Sequence, residues 1–325
     1  MACSSRHNRR SLRKSALKAL LLAAAGGVSG TAYMLFEAQW LRLRRLTVAL
    51  PGVPASLDGL KLLHISDLHA GAPGPGARAM DKLVEASRQA EPDIVLFTGD
   101  MVDKKKDLKP HIELLEKIEA RHGKFAVLGN HDHGLRKTVL QDLAARFTGQ
   151  WGGAGKAEVL YEDLDQTVNT NRRLLAQAGI RLLENECRLV DAGSRKVQVC
   201  GIDDFYYGYS DLETTSAQID HEAPLRILLS HSPNVADCVT NGDFQLILAG
   251  HTHGGQICIP KPGGKIMLST SGAQYADGLY SLPNLTMHVS RGVGTTLLPF
   301  RLFSRPEATL LELRADPDIS TGSSP

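Results

Sequence analysis

Three features of this 325-residue chain predict an α/β fold: short apolar runs that stop abruptly, amphipathic helical stretches between them, and polar, glycine-rich clusters directly after the runs. Strands alternating with helices put the functional loops at strand ends. The composition agrees. With 42% apolar residues the chain is too hydrophobic to be disordered, and it is long enough to bury a core without disulfides or a structural metal. Charged residues at 22% and aromatics at 5% fit neither a charged coiled coil nor a collagen-like chain.

The elements follow in order. Leu60–Ile65 (LKLLHI) predicts a strand running into SDLHAG, and Met80–Gln89 a helix with Leu83, Val84 and Ala86 on its apolar side. Asp93–Thr98 (DIVLFT) is a buried strand ending in GD. Ile112–Glu119 has the helical spacing of Ile112, Leu115 and Ile118. Lys124–Leu128 (KFAVL) runs into GNHD, Leu225–Leu229 (LRILL) into SHSP, and Phe244–Ala249 (FQLILA) into GHTHGG. Residues 135–170 hold a glycine-rich piece and helical stretches around Val139–Phe147 and Val168–Ala178, either a lid or ordinary connection. Asp203–Asp220, aromatic and polar, either lines a substrate cleft or simply connects. No internal repeat is visible.

Charge divides the chain. Residues 1–45 carry nine Lys or Arg and one acid, Glu37, a net +8; the remainder has 28 bases against 34 acids, a net −6. A mildly acidic body repels polyphosphate, so nucleic acid binding is not expected. Residues 19–36 contain no charged side chain, which is short for a membrane span, and a basic stretch precedes them. Residues 1–45 therefore read as a signal or membrane anchor outside the fold, 46–315 as the catalytic domain and 316–325 as a disordered tail. The run Asn8-Arg9-Arg10-Ser11-Leu12-Arg13-Lys14 resembles a twin-arginine export signal, with Ala32 small enough for cleavage after it; a plain anchor with a basic flank is the alternative. Five cysteines with no C-x-x-C spacing make a disulfide framework unexpected, and buried apolar thiols are the simpler reading.

Five polar clusters end five strands: Asp67-Leu-His69, Gly99-Asp100-Met-Val-Asp103, Gly129-Asn130-His131-Asp132, Ser230-His231, and Gly250-His251-Thr-His253-Gly254-Gly255. Every cluster offers oxygen or imidazole donors and none offers a thiol, which suits Mn, Fe, Zn or Co. Residues two apart on a strand point the same way, so Asp67 and His69 can grip one ion. His251 and His253 can do the same or, in a loop, diverge to two ions. Asp100, after an apolar run and a glycine, can bridge two cations, and Asn130 supplies an amide oxygen. Each cluster alone is weak; the ordered set carries the reading.

The ordered set resembles the calcineurin-like metallophosphoesterase family, over residues 58 to about 313. LKLLHISDLHAG, GHTHGGQICIP and RGVGTTLLPFRLFSRPEATLLEL further resemble its membrane-associated bacterial phosphodiesterase branch, which includes twin-arginine-signal members and UDP-2,3-diacylglucosamine pyrophosphatases. The resemblance implies a four-layer α/β/β/α sandwich with a dimetal site at strand ends. It implies that Asp67, His69 and His253 hold one divalent ion, that Asp100 bridges, and that Asn130, His231 and His251 complete the second. His131 would touch the phosphate and protonate the leaving oxygen, with Asp103 orienting its ring. A hydroxide bridging the two ions would attack phosphorus in line. The implied substrate is a phosphodiester or pyrophosphate on a phosphorylated lipid or nucleotide-lipid; a phosphomonoesterase or protein phosphatase on the same site is the alternative. A metallo-β-lactamase-like hydrolase fails, since Gly254, Gly255 and Gln256 follow the H-x-H pair. His64 reads as core or support for Asp67, and His288 as surface or structural. Leu297, Leu298, Phe300, Leu302 and Phe303 would extend a membrane-facing surface if exposed.

Overall fold

The computed structural model describes residues 24–315 except 51, 73–75, 104–107, 134–163, 194, 206–207, 263, 268–273 and 297. The stretch read as either a lid or ordinary connection, through residue 163, and the terminal tail lie outside the described residues. Two six-stranded sheets form the centre. The first has the order β1 (Arg42–Leu50), β14 (Glu307–Ala315), β2 (Lys61–Ile65), β3 (Ile94–Thr98), β4 (Lys124–Val127), β5 (Ile180–Leu182). The second runs β12 (Gly278–Leu282), β13 (Leu285–Val289), β9 (Leu246–Ala249), β8 (Arg226–Leu229), β7 (Arg195–Gly201), β6 (Glu186–Ala192). β2 to β5 are parallel, as are β7, β8, β9 and β13, while β14 runs antiparallel to β2. β10 (Cys258–Lys261) and β11 (Gly264–Met267) form a separate hairpin.

The inner strands are buried on both faces, which is why they read as unbroken apolar runs. Leu62, Leu96 and Val127 from the first sheet meet Val199, Ile227, Leu229, Leu246 and Leu248 from the second in the core between them. The alternate residues Leu63, Ile65, Val95 and Phe97 pack outward on helix α1 (Gly76–Ala90), through Ala79, Met80 and Leu83, and on Leu115 and Leu175. Leu115 lies in α2 (Ile112–Glu116) and Leu175 in α3 (Leu164–Gln177). The second sheet's outer face carries Leu228, Ile247, Met287 and Val289, against Val235, Phe244 and Leu212 of α4 (Leu212–Ser216). The result is the expected four-layer α/β/β/α sandwich. Each fully buried Leu or Ile side chain in it contributes about 1.5–3 kcal/mol.

Several expectations are corrected. The boundary drawn at residue 45 falls inside β1, which pairs in parallel with β14 from Arg42↔Glu307 onward. The chain joins the fold earlier still: Glu37, at the end of helical residues 24–37, is fully buried and accepts the backbone N–H groups of Phe303 (3.0 Å) and Ser304 (2.7 Å). Among the described residues no helix is long and apolar enough to cross a membrane. A disulfide does form, between Cys187 and Cys200, which face each other across the β6–β7 pairing. Neither strand stands out as an apolar run, so no local pattern sets a register that would bring these thiols together. The helix expected over 112–119 stops at Glu116, because the backbone of Arg121 and His122 turns back to bond Pro92 O and Asp93 O; Ile118 is buried all the same. Of the two readings of His288, surface or structural, the fully buried ring fits the structural one. Leu298 and Phe303 are exposed, at 50% and 52%, whereas Phe300 and Leu302 are only half-buried.

Candidate metal centre

All five clusters lie at the carboxyl ends of parallel strands: β2, β3 and β4 in one sheet, β8 and β9 in the other. Past the sheet the first two loops continue side by side. Asp67 N–H donates to Gly99 O, His69 N–H to Asp100 O and Ala70 N–H to Met101 O, each at 3.0 Å. Asp67, His69, Asp100, His251 and His253 all have positive φ, between 44° and 70°. Left-handed backbone at a non-glycine residue costs about 1–3 kcal/mol, and it persists where surroundings dictate it, typically at functional sites. Two glycines permit the close packing. A Cβ on Gly250 would collide with Ser66 Oγ and Asp67 Oδ2, and one on Gly129 with Asp100 Oδ1.

The side chains gather into two overlapping groups. Asp67, His69 and His253 present ligand atoms within 4.8 Å of one another, as do Asp100, His231 and His251. His253 Nε2 is 3.4 Å from Asp67 Oδ1 and 3.0 Å from His69 Nε2. His231 Nε2 lies 3.2 Å from Asp100 Oδ2 and 3.0 Å from His251 Nδ1. Asp100 Oδ2 is also 3.6 Å from His69 Nε2, so this one carboxylate touches both groups. The H-x-H pair thus diverges, one ring to each group. Asn130 Oδ1 is buried with no hydrogen-bond partner among the described residues. Imidazole nitrogens facing each other beside two buried carboxylates and an unanswered amide oxygen form a donor set that fits hard or borderline divalent cations.

Supporting bonds fix the rings. Thr98 O accepts from His231 Nδ1 at 2.8 Å, which aims Nε2 at Asp100 and makes it the nitrogen that is bare when the ring is neutral. Arg301 is fully buried; its Nη2 donates to Arg291 O and Gly294 O and sits 3.2 Å from His253 Nδ1. Burial, His69 and this guanidinium hold His253 neutral, well below the ordinary histidine pKa. Ser304 Oγ donates to His253 O at 2.8 Å. Without cations, burial alone would depress His231, but Asp100 outweighs it and pushes the ring up to about 10; His251 falls to about 3 through burial and the charge on His231.

His131 and Asp103 stand at the edge of the groups. Asp103 Oδ1 lies 3.3 Å from His131 Nδ1 and 3.8 Å from His69 Nδ1. Burial opposes ionisation of Asp103, but hydrogen bonds to the two rings hold it well below the usual carboxylate range. His131 is raised, Asp100 and then Asp103 outweighing its burial. The ring of His131 meets His69 edge-on at 4.6 Å, and its backbone N–H donates to Asp100 Oδ1 at 2.9 Å. His131 also has an atom within reach of His69 and Asp100, a grouping the sequence reading did not anticipate. That reading further missed Glu37, Thr98, Arg301 and Ser304. Only Glu37 carried a signal, as the lone acid in the +8 segment.

Two sheets presenting carboxylates and imidazoles at their shared carboxyl ends define a metal-dependent phosphoester hydrolase. The chain belongs to the calcineurin-like phosphoesterase family, whose model matches residues 60–255, and it acts on phosphoester bonds. It is 29% identical over 304 residues to YkuE of Bacillus subtilis, an uncharacterized metallophosphoesterase, covering 92% of this chain and 94% of that one. It is 29% identical to the UDP-2,3-diacylglucosamine pyrophosphatase LpxG of Chlamydia trachomatis (86% and 92% covered), and 28% identical to the phosphodiesterase YaeI of Escherichia coli (88% and 93% covered).

Proposed function

We propose that this chain is a dimetal phosphodiesterase or pyrophosphatase that works at a membrane surface on a phosphorylated lipid or nucleotide-linked lipid. The observation that carries the reading is the meeting of the two side-chain groups on one shared carboxylate, Asp100. Asp67, His69 and His253 would hold one divalent cation and Asn130, His231 and His251 the other, with Asp100 on both. When bound, such a pair supplies Lewis acidity, lowering the pKa of water and neutralising phosphate oxygens.

The chain's own residues supply the rest. His131, whose proton affinity Asp100 and Asp103 raise against its burial, is the group placed to donate a proton to the leaving oxygen, and Asp103 fixes its ring through Nδ1. The neutral state of His251 and His253 keeps their nitrogens available as donors of electron pairs. Diester or pyrophosphate chemistry is supported by the names of LpxG and YaeI, and a lipid-linked substrate by LpxG. The membrane is supported by the +8 segment, by uncharged residues 19–36, and by the exposed Phe36, Trp40 and Phe303 beside Glu37. Twin-arginine export remains the proposed route for the Arg9-Arg10 signal.

The test is hydrolysis by metal-reconstituted enzyme of bis-p-nitrophenyl phosphate, p-nitrophenyl phosphate, UDP-2,3-diacylglucosamine and phospholipid vesicles. Turnover of diester or pyrophosphate substrates with preference for the lipid-linked member is expected. Rapid monoester cleavage with inert diesters would overturn it.

A further inference from the structure

Behind Asp67 runs a line of side chains that the proposed chemistry does not use. His288 from β13, His64 from β2, Thr98 from the end of β3, Ser66 and Asp67 are each fully buried. They cross from the second sheet to the first. His288 Nδ1 and His64 Nδ1 are 2.8 Å apart, His64 Nε2 and Thr98 Oγ1 2.8 Å, Thr98 Oγ1 and Ser66 Oγ 2.8 Å, and Ser66 Oγ and Asp67 Oδ2 2.5 Å.

Counting hydrogens gives the line a direction. Ser66 has one hydroxyl hydrogen, and its outward neighbours, Asp67 Oδ2 and Thr98 O at 3.1 Å, accept. Ser66 Oγ must therefore accept from Thr98. That spends the only hydrogen of Thr98, so His64 must donate through Nε2–H. Both rings are neutral: burial and His288 depress His64, and burial with the Arg44 charge brings His288 to about 3. A neutral His64 protonated at Nε2 is bare at Nδ1, so His288 donates through Nδ1–H and keeps Nε2 bare.

The end of the line matters for the metal centre. Ser66 occupies Asp67 Oδ2, while Asp67 Oδ1 is the atom 3.4 Å from His253 Nε2. We infer that His288, His64, Thr98 and Ser66 form a one-way hydrogen-bond chain that positions Asp67, turning Oδ1 toward the cation shared with His69 and His253. These are positioning residues, and the inference rests on the dimetal reading above. Outer hydrogen-bond partners of metal ligands typically change affinity by about 10–100-fold when removed.

Two measurements test it. In metal-free protein labelled with 15N-histidine, long-range nitrogen–proton spectra should show His64 protonated at Nε2 and bare at Nδ1, and His288 the reverse. In equilibrium titrations of stripped protein with Mn²⁺, Thr98→Val and Ser66→Ala should each weaken one of the two ions by about 10–100-fold, and Thr98→Ser should restore it. Circular dichroism and thermal melting establish that each variant is folded. A His64 ring protonated at Nδ1, or folded Thr98→Val binding both ions as tightly as the parent, overturns the chain. A parent protein that takes up no pair of ions overturns the dimetal reading instead, and the tautomers, read without metal, still decide the chain.

Discussion

Replacing Glu37 by alanine tests whether the end of the N-terminal helix is a leader or a structural part. Its carboxylate, fully buried, accepts two backbone N–H groups, from Phe303 and Ser304. Alanine strands both donors away from water. A buried donor left without a partner costs about 1–3 kcal/mol, so the pair gives about 2–6 kcal/mol. Glu37→Gln keeps one accepting oxygen and should lose roughly half of that. Against a typical total of about 5–15 kcal/mol, the alanine change is severe. Urea unfolding followed by circular dichroism reads it as a lower midpoint at an unchanged slope. An alanine variant within about 0.5 kcal/mol of the parent would refute the reasoning and return residues 24–41 to the role of a detachable leader.

Other outcomes follow from the same geometry. His131→Ala should lower kcat by about 10²–10⁴-fold while metal content, measured by mass spectrometry, stays at the parent level. His231 without cations has a pKa raised from 6.5 to about 10 by Asp100, so its contribution to stability is full below about 6.5 and is lost as pH rises through about 10. Cation uptake needs the neutral ring, so affinity at that site should rise about tenfold per pH unit between 7 and 10 while the metal-free melting temperature falls; titrations showing affinity independent of pH would contradict this. Cys187→Ser with Cys200→Ser opens a loop of sequence separation 13 and should destabilise the chain by about 3 kcal/mol in urea unfolding.

The strands that carry the site were legible because they are buried on both faces and end in polar clusters. Asp67, Asp100, Asn130, His231 and His251 each follow a short apolar run, so the site could be read from local pattern alone. The edge of the fold could not. β1 alternates arginine with apolar residues, and its pairing with β14 spans 265 residues, a relation no window of sequence contains. Cys187 and Cys200 meet only once β6 and β7 take their register. The contact of His64 with His288 crosses from one sheet to the other, 224 residues apart, so each histidine alone looked unremarked. Arg301 stands in a run otherwise apolar with nothing local to mark it; burial and five carbonyl or imidazole neighbours give it a structural post beside His253.

The position of β14 between β1 and β2 sets an order in time. During synthesis β1 emerges before the other strands of the two described sheets, yet its sheet neighbour β14 emerges after them. Until then the amino-terminal stretch is tethered to a sandwich that cannot close. Anything that binds the amino-terminal stretch early therefore meets an unfinished polypeptide, whereas anything that binds it later meets a closed sandwich with its side-chain groups already assembled.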